Sequence, residues 1–259
     1  MTRLHALDGM RGFFTAFVVL IHMKVDVPLI QNSFVFIGLF LTYSGLLITA
    51  NTLNVIAKKG TFDKIEFWKR RVARIIPMAY TVLLAICVYI LLSVTFFPTL
   101  LTGIDVYWLR QDLLWAVFYG SNHQSIVSGD DYFARYAKIP ILRHYWSLAI
   151  EEQYYIMWPL LLNVWLFVIT PVVRFCAEKT EKLRGATANQ KPRSREKDDF
   201  TYALYALLVG EALVFSVSSS YQYYLLSSHT PYYVLHYSTF VHLKEFALGG
   251  TMAVLLRLV

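Results

Sequence analysis

Residues 144–173 read HYWSLAIEEQYYIMWPLLLNVWLFVITPVV. Two adjacent carboxylates, Glu151 and Glu152, enter a run that carries no further formal charge and is rich in Leu, Trp, Val and Ile. A membrane helix needs roughly 20 predominantly apolar residues, and Gln153 to Val173 supplies them. Working outward, Val27 to Ala57 and Ile75 to Thr102 are also uncharged, and Ala212 to Leu243 carries only His. Shorter apolar runs, Gly12 to Met23 and Phe246 to Leu256, become spans by borrowing neighbouring residues. The expectation is an all-α polytopic transmembrane bundle of about six spans, near 7–27, 33–57, 75–98, 146–174, 200–222 and 239–258. The first lacks a small-residue cleavage site and has Asp8 in its charged start, so it reads as a retained helix rather than a signal peptide. Leu109 to Gly120 is amphipathic and reads as a surface segment or a loop.

Composition agrees with the spans. Of 259 residues, 57% are apolar and 16% charged, and the mean hydropathy is +0.48. These values exclude a disordered chain, a fibrous repeat and an ordinary soluble enzyme. Two cysteines, Cys87 and Cys176, exclude a disulfide scaffold. The net charge of +7 is explained by where the charges sit. Lys58 to Arg74 holds seven basic residues against two acidic, and Arg174 to Asp199 eight against five. Asp105 to Arg143 is balanced, and Tyr223 to Ser238 carries no formal charge. Six alternating spans with a cytoplasmic N-terminus put both basic loops inside, as the positive-inside rule requires. The basic loops lack the interleaved aromatics of a base-stacking groove, which argues against nucleic acid. Residues 1–259 read as one membrane domain, with a flexible cytoplasmic loop at 177–199.

Ionisable groups inside spans are costly, and each is a candidate functional residue. Arg11 and His22 are eleven residues apart, about three helical turns, so they share a face roughly 16 Å apart along the axis. His22 is suited to general-base work because an imidazole titrates near neutrality; the alternative is an interfacial His beside Lys24 and Asp26. Ser147, Glu151 and Tyr154 fall on one helical stripe, with Glu152 about 100° away. A buried carboxylate can orient an imidazole and stabilise its charged form, whereas two acids in a helix's first turn can also answer the macrodipole. Arg71 and Arg74 are neighbours at i and i+3, suited to gripping phosphate or to anchoring the helix on the inner face. The seven His residues show no metal-ligand spacing, and there is no phosphate-loop or dinucleotide fingerprint.

Together these elements resemble the acyltransferase-3 family, multi-pass membrane proteins that move acyl groups onto hydroxyls of sugars and lipids. The resemblance is carried by Leu7-Asp-Gly-Met-Arg11-Gly followed by His22, by Leu41-Thr-Tyr-Ser44-Gly45-Leu-Leu-Ile48-Thr49, and by Phe67-Trp-Lys-Arg70-Arg71-Val-Ala-Arg74-Ile-Ile-Pro77. It continues through Asp131 to Tyr155, with its Ser147, Glu151, Tyr154 pattern, and Glu245-Phe-Ala-Leu-Gly249-Gly250. The family fold has about ten helices, and this chain stops in or after the sixth, so the resemblance implies a fragment or a truncated form, or a remainder carried on another chain.

The resemblance implies O-acyl transfer, most simply of acetyl, from acyl-coenzyme A as donor substrate to a hydroxyl of a glycan or lipid. His22 would be the base or a transient acyl carrier, with Glu151 the orienting or charge-stabilising carboxylate and Ser147 and Tyr154 its hydrogen-bonding support. Arg11, Arg71 and Arg74 would hold the donor's phosphates, and His144 and Glu152 are secondary candidates. Neither a metal nor a bound cofactor is implied. The competing expectations are a proton-coupled transporter or acyl conduit without chemistry, and an inactive relative that serves as a partner protein.

Overall fold

In the computed structural model the described residues are 9, 10, 12, 13, 16, 33–97, 106–129, 142, 144–183 and 195–258. Among them the secondary structure is helical. The helices are α1 (Ser33–Lys59), α2 (Lys64–Phe96), α3 (Val106–Val117), α4 (Ser121–Val127) and α5 (Tyr145–Val164). A π-turn (Trp165–Ile169) joins α5 to α6 (Thr170–Leu183), and α7 (Arg195–Ser227), α8 (Tyr232–Tyr237) and α9 (Thr239–Leu258) follow. Among the described residues five stretches are long and apolar enough to cross a membrane: Val35–Lys59, Lys64–Phe96, Tyr145–Thr180, Asp198–Ser227 and Thr239–Leu258. They correspond to the expected spans from 33–57 onward; the expected span at 7–27 lies largely outside the described residues.

Two of these helices start earlier or end later than hydropathy alone suggests. Helix α2 begins at Lys64, eleven residues before the expected span, because Asp63 caps it. The Asp63 carboxylate accepts from the backbone N–H of Ile65 (2.9 Å) and Glu66 (3.1 Å), the N-cap geometry that meets two orphan donors. The polar stretch at 177–199 is helical at both ends rather than a loop throughout, since α6 runs to Leu183 and α7 resumes at Arg195. Arg174 ties the two helices, reaching Glu178 at 3.1 Å and Asp199 at 2.9 Å. Residues 184–194 lie outside the described set. The amphipathic stretch at 109–120 is a helix, α3, over most of its length.

Prolines account for the local departures. Pro159 has no N–H, so the Tyr155 carbonyl one turn earlier loses its intrahelical donor. The Trp68 indole of α2 supplies the replacement, Nε1 to Tyr155 O at 3.2 Å. Pro171 follows the π-turn, where the Thr170 N–H and hydroxyl both donate to the Trp165 carbonyl. Such re-satisfaction is what allows prolines inside membrane helices.

The chain forms two compact units. One holds residues 1–62, 160–220 and 242–259. In it α1 and α9 meet backbone to backbone: a side chain at Gly45 would collide with the Phe246 backbone, and one at Gly249 with the Thr42 carbonyl. Small residues at such crossings let membrane helices approach closely, where packing rather than water drives association. Gly45 of the stretch Leu41 to Thr49 and Gly249 of the stretch Glu245 to Gly250 are thus two sides of one contact. The other unit holds residues 63–159 and 221–241. Its core joins Leu83, Leu109, Ala116, Leu142 and Tyr145, with a smaller cluster of Leu225, Leu235 and Val241. Much of α2 exposes apolar side chains, among them Met78, Leu84, Leu91 and Phe96, as a lipid-facing helix does.

Candidate functional site

The basic turn of α2 and the acidic turn of α5 come together in the second unit. The Arg71 guanidinium lies 4.6 Å from the centre of the Tyr155 ring and 5.6 Å from that of Phe67. The Tyr155 hydroxyl in turn donates to the Glu151 carboxylate, one helical turn earlier. Glu151 is 5% exposed and Tyr155 3%. A cation over a ring uses the ring face, so the in-plane N–H fork of Arg71 stays suited to a bidentate anion. The Trp68–Tyr155 bond created by Pro159 fixes the spacing of the two helices at this level.

The other expected site residues divide. Tyr154 is buried with its ring 5.7 Å from Trp158. Ser147 donates to the His144 carbonyl at 3.2 Å, and the exposed His144 ring lies 5.2 Å from Tyr145. Glu152 has Oε1 buried with no hydrogen-bond partner among the described residues. Arg74 is exposed on α2, while Arg70 pairs with Glu66 at 3.7 Å. Arg11 and His22 lie outside the described residues.

Beside this group is a closed polar ring. Asn122 Nδ2 donates to Thr239 Oγ1 at 2.9 Å and to the Tyr237 carbonyl at 3.1 Å. Thr239 Oγ1 donates to Gln153 Oε1 at 2.5 Å. Gln153 Nε2 closes the ring on Asn122 Oδ1 at 3.0 Å and also donates to the Tyr119 carbonyl at 2.9 Å. Every amide atom of Asn122 and Gln153 is used, the condition under which a buried polar network specifies structure.

Tyr119 ends α3 in a Schellman turn. Its N–H donates to Ala116 O and that of Gly120 to Trp115 O. Its φ is +52°, a position where glycine is usual. Its hydroxyl is buried without a hydrogen-bond partner among the described residues. The phenol is pushed up to about 12, first by burial, then by the charge of Glu152 and by Tyr80 and Tyr145.

The first unit holds a separate polar group. Glu245 lies 3.7 Å from His242 Nδ1 and 3.8 Å from Lys244 Nζ. Glu211 on α7 is 1% exposed; its Oε1 has no hydrogen-bond partner among the described residues, and its carboxylate rests against Gly250. Tyr155, Asn122, Thr239 and Glu211 were not candidates from sequence. The signal for Tyr155 was its i, i+4 spacing from Glu151. For Glu211 it was a lone acid in an apolar span.

Among the relatives that comparison with known proteins finds are the following. O-acetyltransferase OatA of Staphylococcus aureus is 35% identical over 168 residues, 65% of this chain and 26% of that protein. The putative peptidoglycan O-acetyltransferase YrhL of Bacillus subtilis is 32% identical over 171 residues, 66% of this chain and 25% of that protein. The peptidoglycan O-acetyltransferase OatA of Listeria monocytogenes is 33% identical over 161 residues, 62% of this chain and 24% of that protein. The chain covers about a quarter of the length of these relatives. No protein-family model matches it, and no solved structure does. The matched relatives and the five apolar helices agree: the chain is a multi-pass membrane protein that is similar, over 65% of its length, to an O-acetyltransferase.

Proposed function

We propose that this chain takes part in O-acyl transfer, moving an acetyl group from acyl-coenzyme A to a hydroxyl of a cell-wall glycan. The observation that carries the reading is the stack of Arg71 on Tyr155, whose hydroxyl bonds Glu151. It joins an anion-binding residue to a buried carboxylate in one unit. The names of the relatives, O-acetyltransferase and peptidoglycan O-acetyltransferase, support the acetyl group and the glycan.

In this reading Arg71 and Arg74 hold the phosphates of the donor, and Arg11 assists on the same anion. His22 takes the proton of the acceptor hydroxyl as the oxygen attacks the thioester carbonyl. The carbon–sulfur bond breaks, the ester forms, and the proton passes to the departing thiolate as free coenzyme A. Glu151, held by Tyr155, offsets the positive charge that develops on the base. Ser147, Glu152 and Tyr154 on α5, and His144 just before it, serve as hydrogen-bonding support.

Coenzyme A binding to the detergent-solubilised chain tests the donor part. Arg71→Ala is expected to weaken it by about tenfold or more, the scale of a lost charge-assisted pair. Equal binding by both proteins would remove Arg71 from the donor site.

A further inference from the structure

The first unit buries a carboxyl that the acyl-transfer reading does not use. Glu211 stands about 20 Å along the helix axis from Asp198 and about 24 Å from Ser227, the two ends of an apolar stretch long enough to cross a membrane. It is therefore near mid-bilayer, where an ionisable side chain is costly. We propose that Glu211 is a proton-binding site in the membrane interior, its Oε1 holding the proton and exchanging it with solvent from the Ser218 side of α7.

The surroundings of the carboxyl select a proton as its partner. Glu211 is 1% exposed, and its Oε1 has no hydrogen-bond partner among the described residues. Its carboxyl rests on Gly250 of α9, at a place where any side chain would collide with it. The preceding residue, Gly210, is packed in the same way on the Trp165 indole. None of the described ionisable groups on the neighbouring helices pairs with it. On α1 the uncharged run ends only at Lys58, and its titratable member is Tyr43. From Leu160 to Val173 there is no ionisable residue. On α9, His242, Lys244 and Glu245 lie toward its start and Arg257 toward its end. A hard metal cation needs six or more oxygens, and among the described residues no three His, Cys, Asp or Glu side chains are gathered to hold a metal. One proton meets the need of one orphan oxygen without further ligands.

The two directions along α7 differ. Toward its start the stripe of Glu211 continues as Leu207 and Leu204, both buried. Beyond Gly250 on α9 come Ala253 and Val254, also buried. Toward the other end the same stripe carries Ser218, whose hydroxyl accepts from the Lys244 N–H at 3.1 Å. The His242–Glu245 pair lies at that end of α9, with Nδ1 and Oε2 3.7 Å apart. Polar groups therefore mark one way in. On release the proton leaves Oε1 for a water molecule, and the electron pair of the O–H bond stays on the carboxylate. That leaves an unpaired charge against Gly250, so proton binding and the α7–α9 contact are coupled.

The test is infrared spectroscopy of the whole chain in dodecyl maltoside micelles, which carry no carbonyl of their own. At neutral pH a carboxylic-acid carbonyl band is expected that Glu211→Gln removes and that Glu152→Gln and Glu245→Gln leave in place. Glu211→Asp keeps an acid at the site and is expected to keep the band at a displaced frequency, which secures the assignment should the Gln variant fold poorly. Transfer to heavy water shifts the band as the proton exchanges. Ser218→Val is expected to slow that shift several-fold, while Ser216→Val, exposed on the same helix, leaves it unchanged. Absence of the band from the unaltered chain, its persistence in Glu211→Gln, or equal exchange in the Ser218 and Ser216 variants would each overturn the proposal. Activity plays no part in this readout, so failure of the acyl-transfer reading leaves it intact.

Discussion

Replacing Asn122 by Ala breaks the polar ring at a member that makes three hydrogen bonds. Asn122 donates to Thr239 and to the Tyr237 carbonyl and accepts from Gln153, so three hydrogen bonds go at once. Each contributes about 1 kcal/mol net. The loss also leaves a Gln153 donor and the Tyr237 carbonyl unmet in a buried setting, which adds to the cost. The expected destabilisation is roughly 2–4 kcal/mol, discounted from the full sum because partners in membrane proteins find substitutes. The triple variant Asn122→Leu, Gln153→Leu, Thr239→Val removes the members together and strands fewer polar groups. It is expected to lose less than the three single changes added together, with a coupling of about 1–3 kcal/mol. Denaturant unfolding in micelles, followed by far-ultraviolet circular dichroism, reads all the variants. An Asn122→Ala cost below about 0.5 kcal/mol, or single costs that add up to the triple, would refute the ring as a cooperative unit.

Three further outcomes follow from the same geometry. Gly45→Ala and Gly249→Ala force α1 and α9 apart and are expected to cost about 1–3 kcal/mol each in thermal unfolding. Gly38→Ala meets only Glu245 Cγ at 3.7 Å and is expected to stay within about 0.5 kcal/mol. Tyr155→Phe keeps the ring under Arg71 and Tyr155→Leu removes it, so coenzyme A binding should survive the first and fall several-fold in the second. Tyr119 ionises near the ordinary phenol value of about 10 when unfolded and at about 12 when folded. Its contribution is therefore present below pH 10 and is lost as the pH rises through 12. Tyr119→Phe, followed by alkaline unfolding across that window, should lose less stability than the parent.

Much of the architecture was legible because the bilayer imposes a simple rule, an uncharged run of sufficient length. The five described spans follow it. Boundaries were less legible. Hydropathy begins the second long helix at Ile75, but the Asp63 cap starts it at Lys64. At the site, the stripe Ser147, Glu151, Tyr154 was correct as helix geometry, yet the hydrogen bond to Glu151 comes from Tyr155. The pairing of Arg71 with Tyr155 spans 84 residues of sequence, and that of Asn122 with Thr239 spans 117. No local periodicity reports such partners. Pro159 was readable as a helix proline, but only the fold reveals that Trp68 occupies the carbonyl it frees. Glu211 stood in plain sight as a charged residue inside a span, and hydropathy averaging concealed it.

The central claim is acyl transfer, and labelled acetyl-coenzyme A added to membranes carrying the chain tests it most directly. The account predicts label in a glycan product, reduced about 10²- to 10⁴-fold by His22→Ala and markedly by Glu151→Gln, at matched expression. Label that is equal in all three proteins, or absent from membranes with the unaltered chain, would contradict it.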